Sequence, residues 1–148
     1  MEERYETFTV LIAKISRNIR KIKNSEMSEY DLRSPHISCL YYLYSSGGLT
    51  ATELCERCEE DKATISRSLR YLEKNGYLVC NSKCAKRYRS ALVLTPKGNE
   101  VGKKITEKIN DILNGISMEL TEKERNTFYQ SLSIISSRLE NIVDRAEK

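Results

Sequence analysis

Tryptophan is absent from the 148 residues, and histidine occurs only once, at His36. A single histidine leaves little material for a His-based hydrolase or a His-rich metal centre, and no glycine pattern of the kind that cradles phosphate is present. No apolar run approaches the ~18 residues that a membrane span needs. The opening stretch, MEERYETF, has neither the basic start nor the apolar segment of a signal peptide. Cysteine is present in odd number, five, so the thiols cannot all pair within one chain. Together with the missing signal, this points to a reducing, cytoplasmic location. No metal or other cofactor is expected.

What remains is an ordinary globular balance, 39% hydrophobic and 31% charged. The length fits one domain able to bury roughly 68–70% of its unfolded surface. The net charge of +4 is modest, but it is unevenly spread. Between Asp61 and Ser90 eight basic residues face only two acidic ones, so this block is +6 and the rest of the chain is −2. A contiguous basic block is the electrostatic footprint of a nucleic-acid-binding element, although a solvated surface has the same composition.

Apolar residues recur at helical spacing at both ends. Phe8, Ile12, Ile15, Ile19 and Ile22 form one stripe; Val101, Ile105, Ile109, Ile112 and Ile116 a second; Phe128, Leu132, Ile135, Leu139 and Ile142 a third. Thr95-Pro96 and Thr121-x-x-Glu124 are helix starts. The middle is more punctuated. Ser34-Pro35 opens a helix with Ile37, Leu40, Leu43 and Tyr44 inward, and Gly47-Gly48 stops it. Thr50-x-x-Glu53 starts a short helix with Leu54 and Cys58 as a buried pair. Asp61 caps the next, in which Ile65, Leu69 and Leu72 face inward, and Asn75-Gly76 ends it. Tyr77–Val79 and Ala91–Leu94 read as strands flanking a polar, basic hairpin. The predicted fold is mainly α with a small β-wing: a winged helix-turn-helix over 33–98, flanked by long terminal helices over 1–24 and 99–148.

On the helix from Lys62 to Asn75, the face opposite the apolar one carries Ala63, Arg67, Arg70 and Lys74, with Thr64 and Tyr71 on one flank. A helix fits the major groove of B-DNA, where Arg can donate two hydrogen bonds to guanine. Arg67, in the N-terminal half, is the candidate base reader, with Thr64 and Ser66 able to reach bases or phosphates and Ala63 small enough for close approach. Arg70 and Lys74 are candidate phosphate contacts, and the N-terminal amides are expected to be available for phosphate as well. The hairpin adds Lys83, Lys86, Arg87 and Arg89, of which Arg87 and then Arg89 are the candidates for a narrow minor groove.

The blocks Leu49-Thr50-Ala51-Thr52-Glu53-Leu54-Cys55, Asp61-Lys62-Ala63-Thr64-Ile65-Ser66-Arg67, Leu72-Glu73-Lys74-Asn75-Gly76-Tyr77-Leu78 and Leu92-Val93-Leu94-Thr95-Pro96-Lys97-Gly98 resemble the MarR family of transcriptional regulators. The resemblance implies a homodimer with interlocked first and last helices, each subunit presenting one winged helix to a half-site of a pseudo-palindromic double-stranded DNA operator. It also implies a small-molecule or thiol-oxidation signal. The wing departs from the family pattern: Lys86 stands in the usual acidic place and Tyr88 in the usual Arg place, which moves the minor-groove role to Arg87 or Arg89.

Cys55-x-x-Cys58 and Cys80-x-x-x-Cys84 have the outline of a four-thiolate zinc site, but turning the first pair outward would vacate the helix-turn-helix core, so no metal is assigned. Cys80 and Cys84 flank the basic wing, where nearby cations favour thiolates, and are the candidate redox pair; inert thiols are the alternative. Cys39 is expected to lie off the inward stripe of its helix. Tyr30, His36, Tyr41 and Tyr44 are candidate lining for an aromatic effector pocket, with plain core or surface packing as the competing reading. The expected function is a homodimeric, sequence-specific DNA-binding regulator, not an enzyme. The alternative is a winged-helix protein-interaction module that does not touch DNA.

Overall fold

In the computed structural model, residues 6–58, 60–80 and 91–146 are described here, without the side chains of Glu6, Cys80 and Ser117. A π-helical turn, Glu6–Val10, leads into α1 (Leu11–Glu26), and a 3-10 turn, Ser28–Tyr30, precedes α2 (Ser34–Ser46). Next come α3 (Ala51–Cys58), α4 (Lys62–Lys74), β1 (Leu78–Cys80), β2 (Leu92–Leu94), α5 (Pro96–Ser117) and α6 (Glu122–Ala146). The two strands pair antiparallel, with Leu78 opposite Leu94 and Cys80 opposite Leu92.

The helix starts are those the sequence encodes. Thr50 and Glu53 form a reciprocal capping box, as do Thr121 and Glu124. Asp61 Oδ1 accepts from the Thr64 amide at 2.8 Å, and Thr95 Oγ1 accepts from the Gly98 amide ahead of Pro96. At the start of α2 the Arg33 amide donates to His36 Nδ1, so the single histidine works as a helix cap. Gly47 and Gly76 end α2 and α4 in the left-handed region. At Gly76 the paired bonds Tyr77 N–H to Leu72 O and Gly76 N–H to Glu73 O make a Schellman motif. That motif absorbs Tyr77, which the sequence places in the first strand; the observed strands each begin one residue later than predicted.

The chain divides into two compact units, 1–108 and 109–148. In the first, the core is built around α2, which packs against α1, α3, α4 and β2. A helix enclosed on several sides buries more than one stripe, and this corrects the expectation for Cys39: it is fully buried, alongside Ile37, Leu40 and Leu43. Met27, Leu32, Leu49, Leu54, Ile65, Leu72, Tyr77, Leu78, Leu92, Val101 and Ile105 are also buried in this unit. On α4 the inner face is rotated slightly from the predicted one. Ser68 is buried with Ile65 and Leu72, its hydroxyl donating to Thr64 O, whereas Leu69 is half-buried. Cys58 is likewise half-buried rather than fully enclosed beside Leu54.

The first and last apolar stripes are regular but largely exposed among the described residues. Phe8, Ile12, Ile15, Ile19 and Ile22 are each between 36% and 52% exposed, and α1 has no buried residue. In the second unit Phe128, Leu132, Leu139 and Ile142 are exposed along α6, which buries none of its residues.

Candidate nucleic-acid interface

The helix-turn-helix is α3 and α4. Its second helix turns Ile65, Ser68 and Leu72 into the core, which leaves Ala63, Arg67, Arg70 and Lys74 exposed together on the opposite side. Thr64 and Ser66 lie between the two faces, half-buried. The sequence therefore placed the cationic face correctly even though the apolar face differs at one position.

Hydrogen bonds organise this face. Arg67 Nη2 donates to Thr64 Oγ1 at 3.0 Å, and Thr64 Oγ1 donates to Asp61 Oδ2 at 2.8 Å. Arg70 Nη2 donates to Ser66 Oγ at 3.5 Å. Both guanidinium groups are thus held along the helix surface, with most of their donors unengaged by these bonds. Hydrogen bonds from Thr64 hold the Asp61 carboxyl below its ordinary value, with the Arg67 charge adding to the effect. One expectation needs correcting here. The first-turn amides of α4 are not all available for phosphate, because the Asp61 carboxylate takes the Thr64 amide and puts a negative charge at that end. The exposed cations on this face are Arg67, Arg70 and Lys74.

A cleft of 320 Å³ opens between α3 and α4, lined by Ala51, Thr52, Cys55, Lys62, Ile65 and Ser66. Behind it, α4 is pinned to its surroundings. Tyr71 donates its hydroxyl to Asp31 O at 2.9 Å, and its ring stacks on His36 with centroids 4.3 Å apart. Lys97 Nζ donates to Asn75 O at 2.8 Å and Thr95 Oγ1 to Gly76 O at 2.6 Å, so both residues at the end of α4 are tied to the start of α5. Sequence reading missed Tyr71, Thr95 and Lys97 as positioning residues; the Thr-Pro helix start and the Lys two residues on were the available signals.

The four candidate pocket residues each have a packing partner. Tyr30 OH accepts from Lys104 Nζ, His36 caps α2 and stacks on Tyr71, Tyr41 meets Tyr42 edge-on, and Tyr44 packs against Gly102. Lys83, Lys86, Arg87, Arg89 and Cys84 lie outside the described residues, as does the Cys80 side chain. Among the described residues no group of three His, Cys, Asp or Glu side chains is arranged to hold a metal. No described helix is long and apolar enough to cross a membrane.

A cationic helix on the open side of a helix-turn-helix, backed by a two-stranded wing, defines the winged helix-turn-helix class. The family model of the MarR family matches residues 30–87. An uncharacterised HTH-type transcriptional regulator of Bacillus subtilis, YfiV, is 29% identical over 118 residues, covering 79% of this chain and 73% of that protein. A MarR family regulator from Neisseria meningitidis superposes with a TM-score of 0.82 at 18% identity, covering 96% of this chain and 97% of its own. MepR of S. aureus, in complex with DNA, superposes with a TM-score of 0.79 at 21% identity, covering 89% and 97%. Residues 30–87 are thus similar to the MarR-family model, and the fold is similar to that of the superposed MarR-family regulator. That family consists of transcriptional regulators rather than enzymes.

Proposed function

We propose that this protein is a homodimeric, sequence-specific double-stranded DNA-binding transcriptional regulator acting in the cytoplasm. The observation that carries the reading is the exposed row of Arg67, Arg70 and Lys74 on α4, opposite the buried Ile65, Ser68 and Leu72. MepR, which shares the fold, is described bound to DNA. Arg67 is assigned to base reading, with Ala63, Thr64 and Ser66 beside it, while Arg70 and Lys74 contact phosphates. The wing cations Lys83, Lys86, Arg87 and Arg89 are assigned to the minor groove and its flanking phosphates on their sequence alone. The exposed apolar stripes of α1 and α6 are assigned to the partner subunit, so that 1–24 and 99–148 dimerise while 33–98 binds DNA. One recognition helix per subunit sets half-sites about one helical turn apart. An effector site at Tyr30, His36, Tyr41 and Tyr44 is supported by their aromatic and hydroxyl chemistry.

Selection of bound sites from random duplex DNA, with reduced protein at two salt concentrations, tests the reading. The expected result is an enriched two-fold-symmetric site whose affinity falls with salt. Absence of any enriched sequence would leave the alternative, a winged helix that binds another protein.

A further inference from the structure

The guanidinium of Arg67 is tethered on the surface of α4 by a relay of two side chains. Arg67 Nη2 donates to Thr64 Oγ1 at 3.0 Å, and Thr64 Oγ1 donates to Asp61 Oδ2 at 2.8 Å. What each group can do fixes the direction of this relay. An ionised carboxylate only accepts, so the one Thr64 hydroxyl proton goes to Asp61 and an oxygen lone pair is left for Arg67. Hydrogen bonds from the Thr64 amide and hydroxyl favour the ionised Asp61. A hydroxyl that donates to a carboxylate is polarised by it and accepts more strongly.

Thr64 is itself anchored at both ends of its residue. Its amide donates to Asp61 Oδ1 at 2.8 Å, and its carbonyl accepts from the hydroxyl of the buried Ser68 at 2.9 Å. The branched Cβ restricts χ1, and the bond from Oγ1 to Asp61 selects the rotamer. Arg70 is held less firmly. Its Nη2 donates to Ser66 Oγ at 3.5 Å, at the limit of a hydrogen bond, and Ser66 lacks the methyl that stiffens Thr64. The tether also leaves Arg67 a usable pair of donors. A guanidinium carries five N–H groups in one plane, so whichever Nη2 hydrogen goes to Thr64, the other still lies beside a hydrogen of Nη1 or Nε. Two parallel donors match the adjacent O6 and N7 acceptors of guanine, whereas the major-groove edge of adenine sets a donor beside its N7.

We propose that Thr64 is a positioning residue for base reading: anchored by Asp61, it holds Arg67 as a fixed two-donor fork that selects one guanine in each half-site. This rests on the DNA-binding function proposed above and adds to it the base that is read and the side chains that aim the reader. Because the long Arg67 side chain is ordered before it meets DNA, less conformational entropy is lost on contact. The same tether restricts swivelling toward a phosphate, so the contact favours a base edge over the backbone. Asp61 thus has two tasks, the cap of α4 through Oδ1 and the aim of Arg67 through Oδ2.

The tether is tested without DNA, by NMR relaxation of the arginine Nε–H groups in the reduced full-length protein. Arg67 is expected to be more rigid than Arg70. Thr64→Val, which keeps the branched shape and removes the hydroxyl, is expected to loosen Arg67 to the level of Arg70, while Thr64→Ser is not. Equal mobility of the two arginines in wild type, or an unchanged Arg67 in Thr64→Val, overturns the tether. Base selection is read separately, on the site that wild type selects, by placing a deazaguanine that lacks the N7 acceptor at each guanine of a half-site in turn. Wild type is expected to lose about fivefold or more at one position. Thr64→Val is expected to lose most of that sensitivity while its salt slope and its affinity for random duplex stay as in wild type, and Thr64→Ser to keep it. No guanine sensitive to the replacement, or a Thr64→Val protein as sensitive as wild type, overturns the role in selection. So does an equal loss by Thr64→Val on every sequence, which would mark a structural defect in α4. Failure of wild type to select any site counts against the DNA-binding function, and base selection falls with it, while the relaxation result still decides the tether.

Discussion

Arg67 and Lys74 share one exposed face of α4, and the proposed function gives them different tasks, which substitution separates. Arg67→Ala is expected to cost ~1–3 kcal/mol at the selected site and little on random DNA, which flattens discrimination. Lys74→Ala is expected to weaken all sequences alike and to reduce the salt slope by about 1. Binding titrations on cognate and scrambled duplexes at several salt concentrations distinguish them; a uniform loss from Arg67→Ala would make it a phosphate contact. A second residue-scale expectation concerns His36, whose pKa is lowered from 6.5, chiefly by burial and then by Arg33, with Asp31 opposing. Below that ordinary value the unfolded chain binds a proton that the folded one resists, so stability is complete above about pH 6.5 and is lost as pH falls through the lowered folded value. Protonation would also remove the Nδ1 acceptor that caps α2. Melting temperature is expected to fall from about pH 7.5 to about pH 5, and His36→Gln to flatten that slope. The carboxylates of Glu53, Asp61 and Glu124, held low mainly by hydrogen bonds from Thr50, Thr64 and Thr121, lose their contribution only in more acidic solution, as pH falls through their lowered folded values.

At the scale of elements, the caps and stops were legible because each is a local contract between residues three or four apart: Thr50 with Glu53, Asp61 with Thr64, Thr121 with Glu124, and the glycines at 47 and 76. What was illegible depends on neighbours distant in the chain. The burial of Cys39 follows from α2 being surrounded, and the inward turn of Ser68 from how α4 seats on α2; neither is written in a single helix's periodicity. Gly98 is another such case. A Cβ there would collide with the Tyr77 carbonyl oxygen and lie 2.9 Å from its carbon, where the first turn of α5 crosses the strand entry. Gly98→Ala is expected to destabilise by roughly 1–3 kcal/mol or more, as overpacking against unyielding backbone does. Gly47→Ala, in open space but at φ 73°, is expected to cost about 1–2 kcal/mol for the left-handed conformation alone. Urea unfolding at one fixed protein concentration measures both.

At the scale of the whole molecule, the terminal stripes that the sequence marks as helical lie on helices, yet among the described residues most of the first and last stripes are exposed. Phe8, Ile12, Ile15, Ile19 and Ile22 spend five large apolar side chains on a face that one copy leaves to solvent, which is the reason to expect a second copy. Removing residues 1–22 is expected to yield monomers in sedimentation equilibrium and to abolish tight binding to the two-fold site; a truncated protein that stays dimeric would refute the assignment of α1 to the interface. Full-length melting temperature is expected to rise with protein concentration, as linked folding and association require. The ties that fix α4, from Tyr71 to Asp31, from Thr95 to Gly76 and from Lys97 to Asn75, bear on how such a dimer can be tuned. A reading head clamped at its flank and its far end behaves as the jaw of a caliper. In the proposed DNA-binding dimer, operator spacing is set by where the lobe as a whole is carried, so a base pair inserted between half-sites is expected to be penalised far more heavily than a substitution within one of them.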